Sequence, residues 1–168
     1  MTKSFHASGA STGRNAKAQR LCLSCLIPAD LARGALSDHP PTKDTCHCGG
    51  KIERFDSRAE AKKFRELKML QNNGQIFGLR CHPKFDLVVR ANDNTLAFSV
   101  GSYTADFEYF TRDETLNQAI RHVLDVKPMR RCKRGKSDGK MLPVLSRDAA
   151  LRIKLFEALY GHKVRFVE

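Results

Sequence analysis

The sequence predicts an α/β fold in which a helix, a run of strands, a second helix and a last strand follow a small segment organised by cysteines. Three observations carry this reading. Two segments place apolar residues at helical spacing between start and stop signals, the stretches between them are rich in β-branched and aromatic residues broken by turns, and four of the six cysteines form two close pairs near the N-terminus. The 168 residues suit one compact core with a small appendage. Hydrophobic residues make up 41% of the chain, yet no run approaches the roughly 18 apolar residues of a membrane helix, so no membrane association is expected.

Residues 1–20 mix Ser, Gly and Ala with scattered basic residues and read as a disordered basic arm. They lack the apolar stretch of an export signal and the apolar stripe of a mitochondrial presequence, which points to the cytoplasm. Residues 21–50 hold Cys22 and Cys25 as a CxxC pair and Cys46 and Cys48 as a CxC pair followed by Gly49 and Gly50. Without an export signal, thiols at this spacing suggest a zinc-ribbon-like segment rather than disulfides. Zinc takes four soft ligands and gives a short segment a core it could not otherwise build. His39 or His47 is an alternative fourth ligand, and the competing account is four thiols in a loosely ordered segment. The insert with Pro28, Pro40 and Pro41 reads as loop, and Cys81 and Cys132 as ordinary free thiols.

The remaining residues, 51–168, form the main domain. A helix is expected over 57–73, with Ala61, Phe64, Leu67 and Leu70 near one face and Gly74 as its stop. Strands follow at 76–81, 85–90, 95–100, 103–110 and 120–127, punctuated by His82-Pro83, Asn92-Asp93-Asn94 and Gly101. Residues 128–143 carry Arg130, Arg131, Lys133, Arg134, Lys136 and Lys140 against Asp138 alone and read as a mobile basic loop. Ser146 then caps a helix to Tyr160 with Leu151, Leu155, Phe156 and Leu159 as its apolar face, Gly161 ends it, and a strand at 163–167 closes the chain.

A net charge of +12 and a pI near 9.7 favour a polyanionic partner, nucleic acid first. The chemistry-bearing residues are Asp125 and Lys127, which share one strand face because strand side chains alternate. An acid and an amine at the end of an apolar strand are costly to bury unless a divalent cation and a phosphate compensate them. Asp106 offers a second carboxylate from an aromatic-rich strand, and two carboxylates with a substrate phosphate complete a magnesium shell. The plain alternative is a surface ion pair. Glu108 shares a face with Asp106 and reads as an exposed strand glutamate, the alternative being an acid that supports Asp106 from behind, while Ser57-x-x-Glu60 has the spacing of a capping box. His82, His122 and His162 lack ligand-like spacing.

A helical Glu, then an Asp, then an (Asp/Glu)-x-Lys strand resembles the PD-(D/E)xK nuclease superfamily. More closely, Phe55-Asp56-Ser57-Arg58-Ala59-Glu60, Tyr103-Thr104-Ala105-Asp106-Phe107, Leu124-Asp125-Val126-Lys127 and Leu155-Phe156-Glu157-Ala158-Leu159-Tyr160-Gly161 resemble a family of small phage-type proteins. That family was formerly catalogued as a domain of unknown function and is described as endonuclease or Holliday-junction-resolvase-like. The similarity runs from about Ile52 to Glu168. It departs from the pattern where Asp125 replaces the commoner Glu, Ala105 a Pro, and Pro128 a Gly.

The resemblance implies a restriction-endonuclease-like core over 51–168 that hydrolyses DNA phosphodiesters. In it Asp106 and Asp125 hold magnesium or manganese, Lys127 is the catalytic lysine and Glu60 is the acid of the first helix. It also implies branched DNA as substrate in phage-type recombination, replication or packaging, a homodimer because paired nicks need two-fold symmetry, and a bacterial or phage-infected host cytoplasm. Arg130, Arg131, Lys133, Arg134 and Lys136, directly after the catalytic strand, would then grip DNA phosphates. Two other readings are a non-catalytic zinc-dependent DNA-binding module on the same scaffold and a nuclease directed at RNA.

Overall fold

The computed structural model describes residues 18–29, 44–46, 48–90, 97–132 and 139–168. It is a mixed α/β structure whose chain divides after Arg58 into two compact units. The first unit runs past the boundary expected at residue 50, because β2 (Ile52–Phe55) pairs antiparallel with β1 (Gln19–Cys22). Gln19 and Arg20, expected in the disordered arm, are therefore strand residues. Residues 1–17, and the loop expected around Pro40 and Pro41, lie outside the described residues.

In the second unit α1 (Arg58–Asn72) is followed by β3 (Phe77–Cys81), β4 (Lys84–Arg90), β5 (Ala97–Thr104), β6 (Phe107–Asp113) and β7 (Gln118–Val126). Next come β8 (Met129–Arg131), β9 (Met141–Pro143), α2 (Arg147–Tyr160) and β10 (Val164–Val167). The central sheet has the order β10-β7-β6-β3, with β10 parallel to β7 and the other pairs antiparallel, and β4–β5 forms a separate hairpin. The expected strand over 103–110 breaks at Ala105–Asp106, so that β5 joins the hairpin and β6 the sheet. Nor is the stretch after Lys127 simply loop: Arg130 and Arg131 pair with Leu142 and Met141 in a β8–β9 ribbon.

The helices cover opposite faces of the sheet. Phe64 of α1 stacks on Phe107 at 6.4 Å, on the face that carries Leu124. On the other face Val123 and Val164 pack against Ile153 and Phe156 of α2 together with Phe85, Leu87 and Tyr103 of the hairpin. Here the aromatic rings of Phe85 and Phe156 approach to 4.7 Å, and those of Tyr103 and Phe156 to 5.0 Å. The buried stripe of α2 is thus Ile153 and Phe156 rather than the expected Leu151 and Leu159, which are exposed.

Both ends of α2 are fixed as its sequence suggests. Ser146 Oγ accepts from Ala149 N at 3.2 Å, and Gly161 adopts φ 68° while its N–H donates to Glu157 O. A side chain there would be strained in the left-handed region that glycine tolerates. Among the described residues no helix is long and apolar enough to cross a membrane.

Candidate functional site

The break between β5 and β6 brings the two aspartates together. Phe107 lies opposite Leu124 in the β6–β7 register, so the preceding residue, Asp106, falls beside Asp125 on the face that looks towards α2. The backbone locks the pair reciprocally: Asp106 N donates to Asp125 Oδ1 at 3.2 Å, and Val126 N donates to Asp106 Oδ2 at 2.6 Å. Lys127 continues β7 past its last strand residue, its N–H donating to Val167 O at 2.9 Å. Its ammonium stands 3.5 Å from Asp106 Oδ2 and 3.8 Å from Asp125 Oδ2.

Burial dominates the electrostatics. Asp125 is 2% exposed, and desolvation holds its carboxyl above the ordinary range; Lys127 opposes that shift and the Asp106 charge adds to it. Tyr103 is buried in the aromatic core, its hydroxyl shielded from solvent and interacting with the Asp125 carboxylate. Burial, and then the Asp125 charge, pushes the phenol up. Tyr103, Asp125 and Lys127 line a cavity of about 410 Å³ whose far wall is the start of α2, with Ser146, Asp148 and Arg152.

Not every expected residue converges here. Glu60 is buried in the first turn of α1, which packs on the opposite face of the sheet. Among the described residues it does not join Asp106 and Asp125 in a group of three metal-capable side chains. Its placement near the positive end of the helix dipole suits an acid without a metal. Arg130 and Arg131 are on β8, and Lys133, Arg134 and Lys136 lie outside the described residues.

Glu108 is the largest departure from expectation. It is fully buried, with Oε1 accepting from Arg121 at 2.5 Å and Oε2 from Arg80 at 3.2 Å. Arg121 in turn covers the Phe85 ring at 5.3 Å. The signal was the two-residue spacing from Asp106, but the arginines come from other strands and only the register unites them.

In the N-terminal unit the four cysteines form one cluster, their sulfurs all within 4.8 Å of one another. Cys22 and Cys48 sulfurs are 3.4 Å apart, and those of Cys25 and Cys46 3.6 Å. A tetrahedron with Zn–S of about 2.3 Å spaces its sulfurs by about 3.8 Å, so the set can hold a structural zinc ion. Each turn is completed by a residue with positive φ directly after its second cysteine, Leu26 at 62° and Gly49 at 76°. Gly50 closes the cradle: a Cβ there would sit 2.5 Å from Ser24 Oγ and 2.6 Å from Cys22 Sγ.

The thiols are not equivalent. A backbone N–H from Gly50, followed by Cys22, lowers the Cys48 thiol to about 7, whereas burial raises Cys25 to about 12. His39 and His47, the alternative ligands, lie outside the described residues, and the four cysteines suffice without them.

Comparison with curated proteins and with solved structures finds no match for the chain. Residues 49–165, running from the second cysteine turn into β10, match the family described as protein of unknown function (DUF1064), and the chain belongs to that family.

Proposed function

We propose that the unit from Ala59 to Glu168 is a divalent-metal-dependent endonuclease that hydrolyses DNA phosphodiester bonds. One observation carries the reading: two aspartates from neighbouring strands, each fixed by a backbone N–H beside the other, converge on the Lys127 ammonium, and Asp125 and Lys127 line a cavity. Hard cations such as magnesium are bound through one or two carboxylates, with waters and substrate phosphates completing the shell, and this donor set fits that requirement. Asp106 and Asp125 would hold magnesium or manganese, which supplies Lewis-acid polarisation and a bound water of lowered pKa.

The chain's own contribution is positional. The backbone locks fix the carboxylates before substrate arrives, and Lys127 places a positive charge where negative charge develops at phosphorus. The net charge of +12 favours a polyanion, and Arg130 and Arg131 begin the basic segment that follows the site. Similarity of the four sequence blocks to junction-resolving nucleases supports branched DNA as substrate and a homodimer as the working form.

A second reading draws on the cysteine cluster: a zinc-stabilised DNA-binding protein that uses the α/β unit as a scaffold without cutting. Nicking assays with four-way-junction, linear duplex and single-stranded DNA, and with matched RNA, separate the readings. The nuclease reading expects magnesium-dependent cleavage of DNA that is lost in Asp125→Ala. Binding without cleavage of any substrate supports the scaffold reading, and cleavage of RNA alone replaces DNA as the substrate.

A further inference from the structure

The site built on Asp106, Asp125 and Lys127 leaves the buried Glu108 and its two arginines without a task. Asp106 and Glu108 are two residues apart where the chain enters β6, so they share one face of the sheet about 7 Å apart along the strand. The edge strand β3 runs alongside them. Arg80 lies opposite Glu108, and the His82 N–H donates to Asp106 O at 3.0 Å. Arg80 therefore stands one strand repeat from the aspartates, while Arg121 reaches Glu108 from the face of β7 that also carries Asp125.

An irregularity in β3 delivers Arg80 to this face. Phe77 pairs with Phe110 and Arg80 with Glu108, so three steps along β3 span two along β6. In a regular strand, residues three apart point to opposite faces. The extra residue of the bulge, accommodated beside Gly78 with φ 65°, restores the parity. Phe77 stacks on Phe110 at 5.8 Å, and Arg80 still bonds Glu108.

One arginine is enough to neutralise a carboxylate, and Arg121 does so through both Nε and Nη2. The second guanidinium brings the trio to +1 and sets two like charges beside one another, a cost that an anion offsets. Arg80 donates to Glu108 from Nη1 alone and its side chain is 66% exposed, so its planar fork keeps donors turned to solvent. We propose that Arg80, backed by Arg121 and anchored on Glu108, grips a backbone phosphate of the nucleic-acid strand beside the reacting one. The buried anchor fixes the fork before the strand arrives, which reduces the side-chain freedom lost on binding. The identity of the anion as a nucleic-acid phosphate rests on the nuclease reading.

The test is the affinity of the full chain for a fluorescein-labelled four-way DNA junction, read by anisotropy over a range of salt without added divalent cation. Arg80→Ala is expected to lower affinity about tenfold and to reduce the slope of log affinity against log salt by about one. Arg80→Lys, which keeps the charge without the fork, is expected to restore the slope but only part of the affinity. The control is Arg165→Ala: it removes the same charge from an exposed residue paired with Leu124, on the opposite face of the sheet, and a smaller effect is expected. Unchanged affinity and slope in Arg80→Ala, or equal losses in Arg80→Ala and Arg165→Ala, overturn the grip. Magnesium-dependent nicking by the wild type, measured in parallel, distinguishes the two failures. Nicking with an unchanged Arg80→Ala slope removes only the grip, a reduced slope without nicking removes only the nuclease reading, and a wild type that does not bind the junction removes both.

Discussion

Replacing Glu108 by Ala isolates the most deeply buried charge in the α/β unit. The carboxylate is fully buried; its Arg121 partner retains 26% exposure and its Arg80 partner 66%. Breaking a buried pair by removing one partner costs about 3–5 kcal/mol, while an exposed arm contributes about 1 kcal/mol or less. Arg121 keeps some water and its place over Phe85, so the loss is expected near the lower limit, about 3 kcal/mol. With a urea m-value of about 2 kcal/mol per molar, the midpoint falls by about 1.5 M.

The assay can be confined to this unit. The chain has no tryptophan, and its three tyrosines, Tyr103, Tyr109 and Tyr160, all lie after Arg58. Tyrosine fluorescence therefore follows the α/β unit through the urea transition. Double-mutant cycles divide the loss between the arms: coupling of Glu108 to Arg121 is expected to exceed coupling to Arg80 by about 1 kcal/mol or more. Equal couplings, or a total loss below about 1 kcal/mol, would refute the burial argument.

Other perturbations address the remaining features. Gly50→Ala drives a methyl into Ser24 and Cys22, so zinc content after purification is expected to fall well below one per chain, and Cys22→Ser with Cys25→Ser to abolish it. Burial raises the Asp125 carboxyl above its ordinary value of 3.8, so the folded state holds that proton more tightly than the unfolded state and stability falls as pH rises through the window between the two values. Without added divalent cation, Asp125→Asn is expected to be more stable than wild type at pH 7, with the difference vanishing below the ordinary value; a less stable variant at pH 7 would contradict this. Ser146→Ala removes the α2 cap and is expected to cost about 1 kcal/mol in the tyrosine-monitored transition.

The legible parts of the fold were those written in short-range pattern. Helical spacing located α1 and α2 to within a residue or so, and Ser146 and Gly161 marked the ends of α2 because caps depend on local chemistry. Less legible was whatever depended on pairing between distant segments. The break at Ala105–Asp106 looks like continuous strand in sequence, since Tyr103 and Phe107 are both good strand residues; only the separate partners of β5 and β6 divide them. The β8–β9 ribbon was hidden by its charge, because solvated strand edges and solvated loops share a composition.

The candidate site was legible in the same partial way. Alternation put Asp125 and Lys127 on one face, but the reciprocal backbone locks that join Asp106 to them need the register of two strands. Glu108 was misjudged because a strand glutamate is normally solvated, and its two arginines are supplied from β3 and β7. The approach of the Tyr103 hydroxyl to Asp125 left no mark in sequence at all: an aromatic residue in a strand signals core, and its place beside a buried carboxylate is visible only in three dimensions.

The most direct test of the central claim is the rate at which Lys127→Ala nicks DNA in magnesium, measured beside wild type with matched far-UV circular dichroism and zinc content. If Lys127 stabilises charge developing at phosphorus between Asp106 and Asp125, the rate falls by roughly 100- to 1000-fold. Magnesium-dependent nicking by Lys127→Ala at the wild-type rate would contradict the assignment.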